Sequence, residues 1–543
     1  MLNVKDFGAF GDGLSHTLAS TTVFQGVNTT GWSLTQWQTY FPSATNLSQE
    51  IDYLAHVAAI AKAVADNAPT QIYAPAGRYR LGTGEIVVAT RGISIVGDGP
   101  GSTVWLSSKP DGDIFTFRNM SAGGISAGNI VPLVARTDGA AVAFVNGHNL
   151  VSRDMQFDPG YWHGGTGEHF ACYEMIGGAD QFLYTVEHFE MNHVRFGIRI
   201  GRHSGYVQDM WIGKGTIVAR ETGIQAYHVG GLYIYNMPSS LTCRVGLQCV
   251  PGVGQTVSGM MVSGYLADTC ENHGVDIAPN GGSVVDFQLT DLWASSSGTT
   301  VPGSDTSPNH CGINIDGSNG YVGGGIITSP RCIGNVSHGM RIQHASEITI
   351  SNPQFNYNSV RSYGSFNGLM IDNGCENITV VGGFSGATGK FKDQPGLPPT
   401  QNYGAFIWSG AKNVKITNLD VSANINAGIP ALGPDCFVLQ PGEGLVQRLS
   451  ERNTLGSLGV GRSPLPGYSI AAKDHITLAG DITHIGFNAY WDYNALVWKY
   501  QGNGAAYALR ALPAGLELIR FGVNASGVDA VASIVSTGKV QAI

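Results

Sequence analysis

Cleaving a glycosidic bond takes one carboxylic acid to protonate the leaving oxygen and one carboxylate as base or nucleophile. In this 543-residue chain Asp276, Asp316 and Asp372 fall at related places in a repeated phrase. If Asp276 and Asp316 stand on adjacent stacked strands, one strand spacing of about 4.8 Å and two residues of about 6.6 Å separate their Cβ atoms by roughly 8 Å. Carboxyl groups about 6.5 to 9.5 Å apart suit an inverting hydrolase. Asp372 is the reserve carboxylate. This chemistry calls for no metal and no cofactor, and no His or Cys spacing in the chain suggests one.

The element that must position these acids is a short strand phrase. Glycine followed by alternating apolar and polar residues recurs at FGIRI, TGIQA, VGLQC, HGVDI, CGINI, HGMRI, NGLMI and YGAFI, starting between residues 196 and 403. Repeats of 20 to 50 residues are the signature of solenoids and propellers. Second period-two strands such as SGYVQDMWI and ENITVVGGF lie between copies, with no helix-period stretch. A propeller blade needs four strands per repeat. The pattern predicts an all-β fold, a right-handed parallel β-helix whose coils share one apolar interior.

Residues one and three after each glycine are apolar and point inward, so residues two and four after it project into solvent. This makes a polar and aromatic stripe carrying the three aspartates. Tyr227, Phe406 and Trp408 offer faces for sugar rings. Arg199 and Arg341 suit an acidic or hydroxyl-rich saccharide, with Asn314 on the strand of Asp316. Inserts at 297–310 and 387–402 enter just before stripe strands and would wall the groove. The rival site is GYWHGGTGEHFACYEM (160–175), with Glu168 and Glu174 as its acids. Asp154, Glu187 and Asp209 read as a separate acidic ladder that closes turns.

Ser48 to Asn67 is the one convincing helix, with Ile51, Leu54, Val57, Ala58, Ile60 and Ala61 on its apolar face. It would plug the open end of the stack, where unpaired strand edges need cover. The phrase stops near Ser450, which divides the chain into an opening (1–110), coils (111–450) and a small C-terminal β region (451–543). Thirty basic and 39 acidic residues, a net charge of −9, argue against a nucleic-acid partner. No run of eighteen apolar residues predicts membrane insertion, and the start lacks a secretion signal. Eight scattered cysteines read as reduced core thiols of a protein made in a reducing compartment.

VKDFGAFGDG (4–13), the capping helix, IYAPAGRYRL (72–81) and ISIVGDGPGSTVWL (93–106) resemble the opening of the pectate-lyase-like single-stranded β-helix superfamily, which includes many phage tailspikes. The segment from LGVGRSPLPG (458) to GAAYAL (509) is similar to the C-terminal segments of phage tail fibres and tailspikes. The resemblance implies a homotrimer on the phage tail, joined to other tail proteins and assembled in the host cytoplasm. It would bind and cleave a bacterial capsule, exopolysaccharide or O-antigen by endo-hydrolysis. A lyase on the same fold, using Arg341 or Arg199 beside a uronate, and a purely adhesive spike are the alternatives. The opening begins at residue 3, so the family's virion-attachment domain is expected to be missing.

Overall fold

A computed structural model describes residues 1–439, apart from 179–181, 203–204, 301–309, 387–398 and six positions between 427 and 435, together with strands between 468 and 540. The described coils form a parallel β-solenoid of about eleven turns, all-β as the repeat predicts. The residues one and three after the phrase glycines, from Ile198 and Ile200 to Ala405 and Ile407, are fully buried in one continuous core. All eight cysteines are buried as thiols. No described helix is long and apolar enough to cross a membrane.

Close approach explains the repeated glycine. A Cβ at Gly197 would lie 2.4 Å from the carbonyl oxygen of Gly223, and one at Gly339 would lie 2.6 Å from that of Gly368. Each phrase glycine from Gly197 to Gly368 sits against the next coil's backbone, so any side chain there would push the rungs apart. The parallel register then aligns one column across coils, Glu174, Arg199, Gln225, Gln248, Asp276, Asn314, Arg341, Met370 and Phe406. A second column on another face runs Gln156, Glu190, Thr216, Ser239, Leu266, Trp293 and Arg331.

The capping helix spans Ile51–Asp66 and ends at Asn67 in the left-handed conformation. Its buried face is turned from the expected one: Val57 and Ala58 are half-buried and Ala61 is exposed, while Ala55, Ala59, Ala63 and two polar residues face in. Asp52 accepts the backbone N–H groups of Phe10, Gly11 and Arg80. His56 donates from Nδ1 to Asp52 O and accepts the Trp105 indole N–H at 3.2 Å. Burial pushes the Asp52 carboxyl up to about 6 and the His56 imidazole down to about 4. These polar contacts explain why the helix turns Asp52 and His56 toward the stack.

The inserts expected to wall the stripe lie largely outside the described residues, as do Ser450 and its surroundings. Strands between Tyr468 and Val540 pair antiparallel in a six-stranded sheet and a two-stranded ribbon, unlike the parallel coils.

Candidate active site

The stripe is real as a column, and its side chains are committed to one another. Of the residues two after the glycine, which point away from the core, Arg199, Gln225, Asp276 and Asn314 are buried, Arg199 at 2% and Asp276 and Asn314 at 7% exposure, while Gln248, Arg341, Met370 and Phe406 are half-buried. Gln225 Nε2 donates to Gln248 Oε1, Gln248 Nε2 to Asp276 Oδ2 and Asn314 Nδ2 to Asp276 Oδ1 at 2.9 Å. Long polar side chains on adjacent rungs reach each other more readily than water, which corrects the expectation of a solvated stripe. Asp316 stands two residues past Asn314, as expected, and accepts the Ser318 backbone N–H and hydroxyl.

Arg341, expected to hold substrate, donates to Asp372 Oδ2 at 2.9 Å. Arg199 donates to Glu174 Oε2 at 2.6 Å and lies over the rings of Phe170 and Phe196. Burial lowers the Arg199 pKa against the pull of Glu174 and raises that of Tyr227. Glu174 is therefore an ion-pair partner, and Glu168 pairs with Arg220 at 3.3 Å. Phe406 and Trp408 contact each other at 5.6 Å, with Trp408 exposed.

A second pair of acids comes together elsewhere. Asp158 follows the strand His148–Phe157, and Glu190 lies in Phe182–Ile200, one rung on and two residues back along the register. The Asn192 amide Nδ2 donates to Asp158 Oδ1 and to Glu190 Oε1, each at 3.0 Å. With one oxygen on each N–H of the amide, whose two N–H bonds diverge by about 120°, ideal geometry gives about 5 Å between the two bonded oxygens. Asn129 Nδ2 and Gln156 Nε2 also donate to Asp158, at 2.7 and 3.1 Å. Asp158 is 5% exposed, while Glu190 is exposed to solvent.

The segment 160–175 supplies the rest of this site, through its aromatic and histidine residues rather than Glu168 and Glu174. A short 3-10 helix, Gly160–His163, carries Tyr161 and Trp162, both about half exposed, against His193. The Arg78 guanidinium can only donate, so His163 Nδ1 accepts from it at 3.4 Å and the ring proton lies on Nε2, 3.5 Å from Asp158 Oδ2. His169 is instead a core residue, bonded to Ile130 O and pushed down to about 3 by burial. A cavity of about 520 Å³ adjoins Glu190, lined also by Gln156, His188, Lys214 and Thr216. Among the described residues no group of three or more His, Cys, Asp or Glu side chains is placed to hold a metal ion.

The expected acidic ladder does not form. Arg153 is in register with Glu187 and Phe182 with Gln208, so Asp154, Glu187 and Asp209 are not equivalent positions. Asp154 and Asp209 have positive φ, at 56° and 51°, so each does turn its strand.

Solved structures match this architecture at low identity. Tailspike protein 3 of bacteriophage CBA120 is 13% identical with a TM-score of 0.50, the match covering 98% of this chain and 70% of that one. The chain shares the parallel β-helix fold of that protein. The A-module of the Azotobacter vinelandii mannuronan C-5 epimerase AlgE6 matches at 14% identity and a TM-score of 0.41, over 82% of this chain and 100% of that one. The Family 28 exopolygalacturonase of Yersinia enterocolitica matches at 10% identity and a TM-score of 0.41, over 69% and 77%. No protein-family model matches the sequence, and no curated protein matches it.

Proposed function

We propose that the chain is a phage tailspike that binds a bacterial surface polysaccharide and hydrolyses it at internal glycosidic bonds, with Asp158 and Glu190 as the catalytic carboxylates. The observation that carries this reading is the single Asn192 amide holding both acids, beside exposed Tyr161 and Trp162 and a cavity. Asp158, held in place by three amide donors, takes the part of the nucleophile. Glu190, exposed and held by one donor, takes the acid's part, protonating the leaving oxygen and later activating water. Aromatic faces beside the acids suit the apolar faces of sugar rings. His163, fixed by Arg78, orients Asp158 from the side away from Asn192.

The reading includes a homotrimer on the phage tail, in contact with other tail proteins and working at the bacterial surface. Its test is incubation of the full chain with a panel of purified capsular polysaccharides, alginate and polygalacturonate, reading reducing ends and ultraviolet absorbance together. New reducing ends without absorbance at the unsaturated-uronate wavelength support hydrolysis. Absorbance rising in step with the reducing ends means a lyase, and binding without cleavage means an adhesin.

A further inference from the structure

Beyond the cavity the second column continues as a track. From Glu190 the register passes through half-buried Thr216, Ser239 and Leu266 to Trp293, four rungs away, and then to Arg331. At about 4.8 Å per rung Trp293 stands roughly 19 Å from Glu190 along the solenoid axis. Several consecutive sugars span that distance.

Trp293 is built as a platform. Its ring is 37% exposed, and its indole N–H donates to Ser295 Oγ at 2.6 Å. Ser295, itself 6% exposed, donates in turn to Asp268 Oδ1 at 2.6 Å. This relay ties down the polar edge of the indole and leaves a ring face for contact, which an aromatic present only for packing would not require. On either side of the track Lys214, at the cavity, and Arg331 form no ion pair among the described residues.

We propose that the polysaccharide lies along this track, with one sugar stacked on Trp293 and an anionic substituent of a neighbouring sugar held by Arg331, so that the substrate is an acidic polymer. The proposal rests on the Asp158–Glu190 reading for its origin but makes a separate claim about a remote subsite. The occupant is committed by continuity: the track leaves the cavity beside Glu190 without a break in register. The charge also fits, since an unpaired guanidinium matches a carboxylate or phosphate ester.

The test compares wild type, Trp293→Ala, Trp293→Phe and Arg331→Gln on the panel member that the wild type cuts or retains. Substrates are the intact polymer and short oligosaccharides from its partial digestion. For Trp293→Ala, KM on the intact polymer should rise about tenfold with kcat held, oligosaccharides too short to reach the track should be cut as by wild type, and Trp293→Phe should recover most of the loss. Arg331→Gln should raise KM on the polymer and flatten its salt dependence. Affinity electrophoresis of the intact polymer reads the same subsite without catalysis. An unchanged KM and unchanged retention in Trp293→Ala, with the Glu190→Gln variant inactive, overturns the track and leaves the catalytic reading standing. Retention lost in Trp293→Ala while Glu190→Gln stays fully active supports the track and overturns the catalytic pair. A wild-type chain that neither cuts nor retains any member overturns both.

Discussion

Replacing Glu190 by Gln removes one acidic proton and leaves the shape of the side chain. Glu190 is exposed and accepts one hydrogen bond, from Asn192, which the amide oxygen of Gln can still accept. Stability should therefore change little, within the about 0.5 kcal/mol usual for surface substitutions. Loss of a positioned acid costs about a hundredfold to ten-thousandfold in rate. At about 1.4 kcal/mol per tenfold, that is roughly 3 to 5 kcal/mol of transition-state stabilisation. Asp158→Asn should cost at least as much in kcat, and it should also lower the melting temperature. Its three amide donors would then face an NH2 group on one side, and an unsatisfied buried group costs about 1 to 3 kcal/mol. The separation of about 5 Å falls in the range of retaining glycosidases. The anomer first released, followed by proton NMR before mutarotation, should keep the configuration of the bond cleaved. Full activity in a folded Glu190→Gln protein, or an inverted first product, would refute the assignment.

Asp276→Asn separates the two faces. Asp276 already accepts from Gln248 and Asn314, so the variant should lose about 1 to 3 kcal/mol of stability in chemical denaturation and keep wild-type turnover; a hundredfold rate loss in an equally stable protein would return the chemistry to the stripe. Gly339→Ala should destabilise by about 1 to 3 kcal/mol or fail to fold, because its Cβ meets the Gly368 carbonyl oxygen and the Asn358 amide, and a wild-type melting curve would dismiss the close-stacking account. The buried imidazoles make the solenoid acid-sensitive. Burial lowers His56 to about 4 and His169 and His338 to about 3, from 6.5. Their folded pKa values lie below the unfolded one, so their contribution is complete above about pH 6.5 and is lost as pH falls toward 3, by on the order of a few kcal/mol each. Asp52, raised to about 6 from 3.8, and Asp113, also raised by burial, act oppositely and gain stability as pH falls through that window, but burial lowers His228 and His273 as well, so the imidazoles outnumber them. His338→Asn should flatten the slope of melting temperature against pH, since Asn367 on the next rung already performs the same task, accepting the Tyr403 N–H where His338 accepts that of Asn367.

The coils were legible because the phrase repeats a physical constraint. Glycine is needed where backbones touch, and residues such as Ile198, Ile313 and Ile342 are needed where side chains meet the core. The stripe column followed from the same counting. Its burial did not, because alternation gives the direction of a side chain and not what neighbouring rungs place over it, as Gln248 and Asn314 do over Asp276. The proposed pair Asp158 and Glu190 escaped this counting for a different reason. They precede the first phrase, and Asp154 and His188 beside them adopt positive φ, at 56° and 50°. A left-handed residue within a strand breaks counting by twos, so faces on its two sides cannot be related from sequence alone. The usable signal was the recurrence of MQFD and HFEMN, one acid just past the end of its strand and the other in the middle of the next, together with the aromatic helix that follows the first.

A solenoid stacks whatever occupies equivalent positions, so a row of polar residues arises equally from structural ladders and from binding sites. Inside this chain Asn335, Asn358, Gln401 and Asn424 form a buried amide ladder with no route to solvent-borne substrate. The Gln225–Gln248–Asp276–Asn314 row is its counterpart on the outer wall, each amide satisfying the next. What distinguishes a site is hydrogen-bonding capacity left open. A carboxylate offers about four acceptor positions. Both oxygens of Asp276 are taken within its own row, whereas Glu190 spends one contact on Asn192 and turns the remainder toward a cavity. Since proton transfer to a sugar oxygen needs a direct contact of about 2.6 to 3.2 Å, open acceptor positions facing free volume are the condition chemistry imposes on the acid, and Glu190 meets it, whereas Asp158, with both oxygens held by amides, has to exchange a donor for the sugar before it can attack.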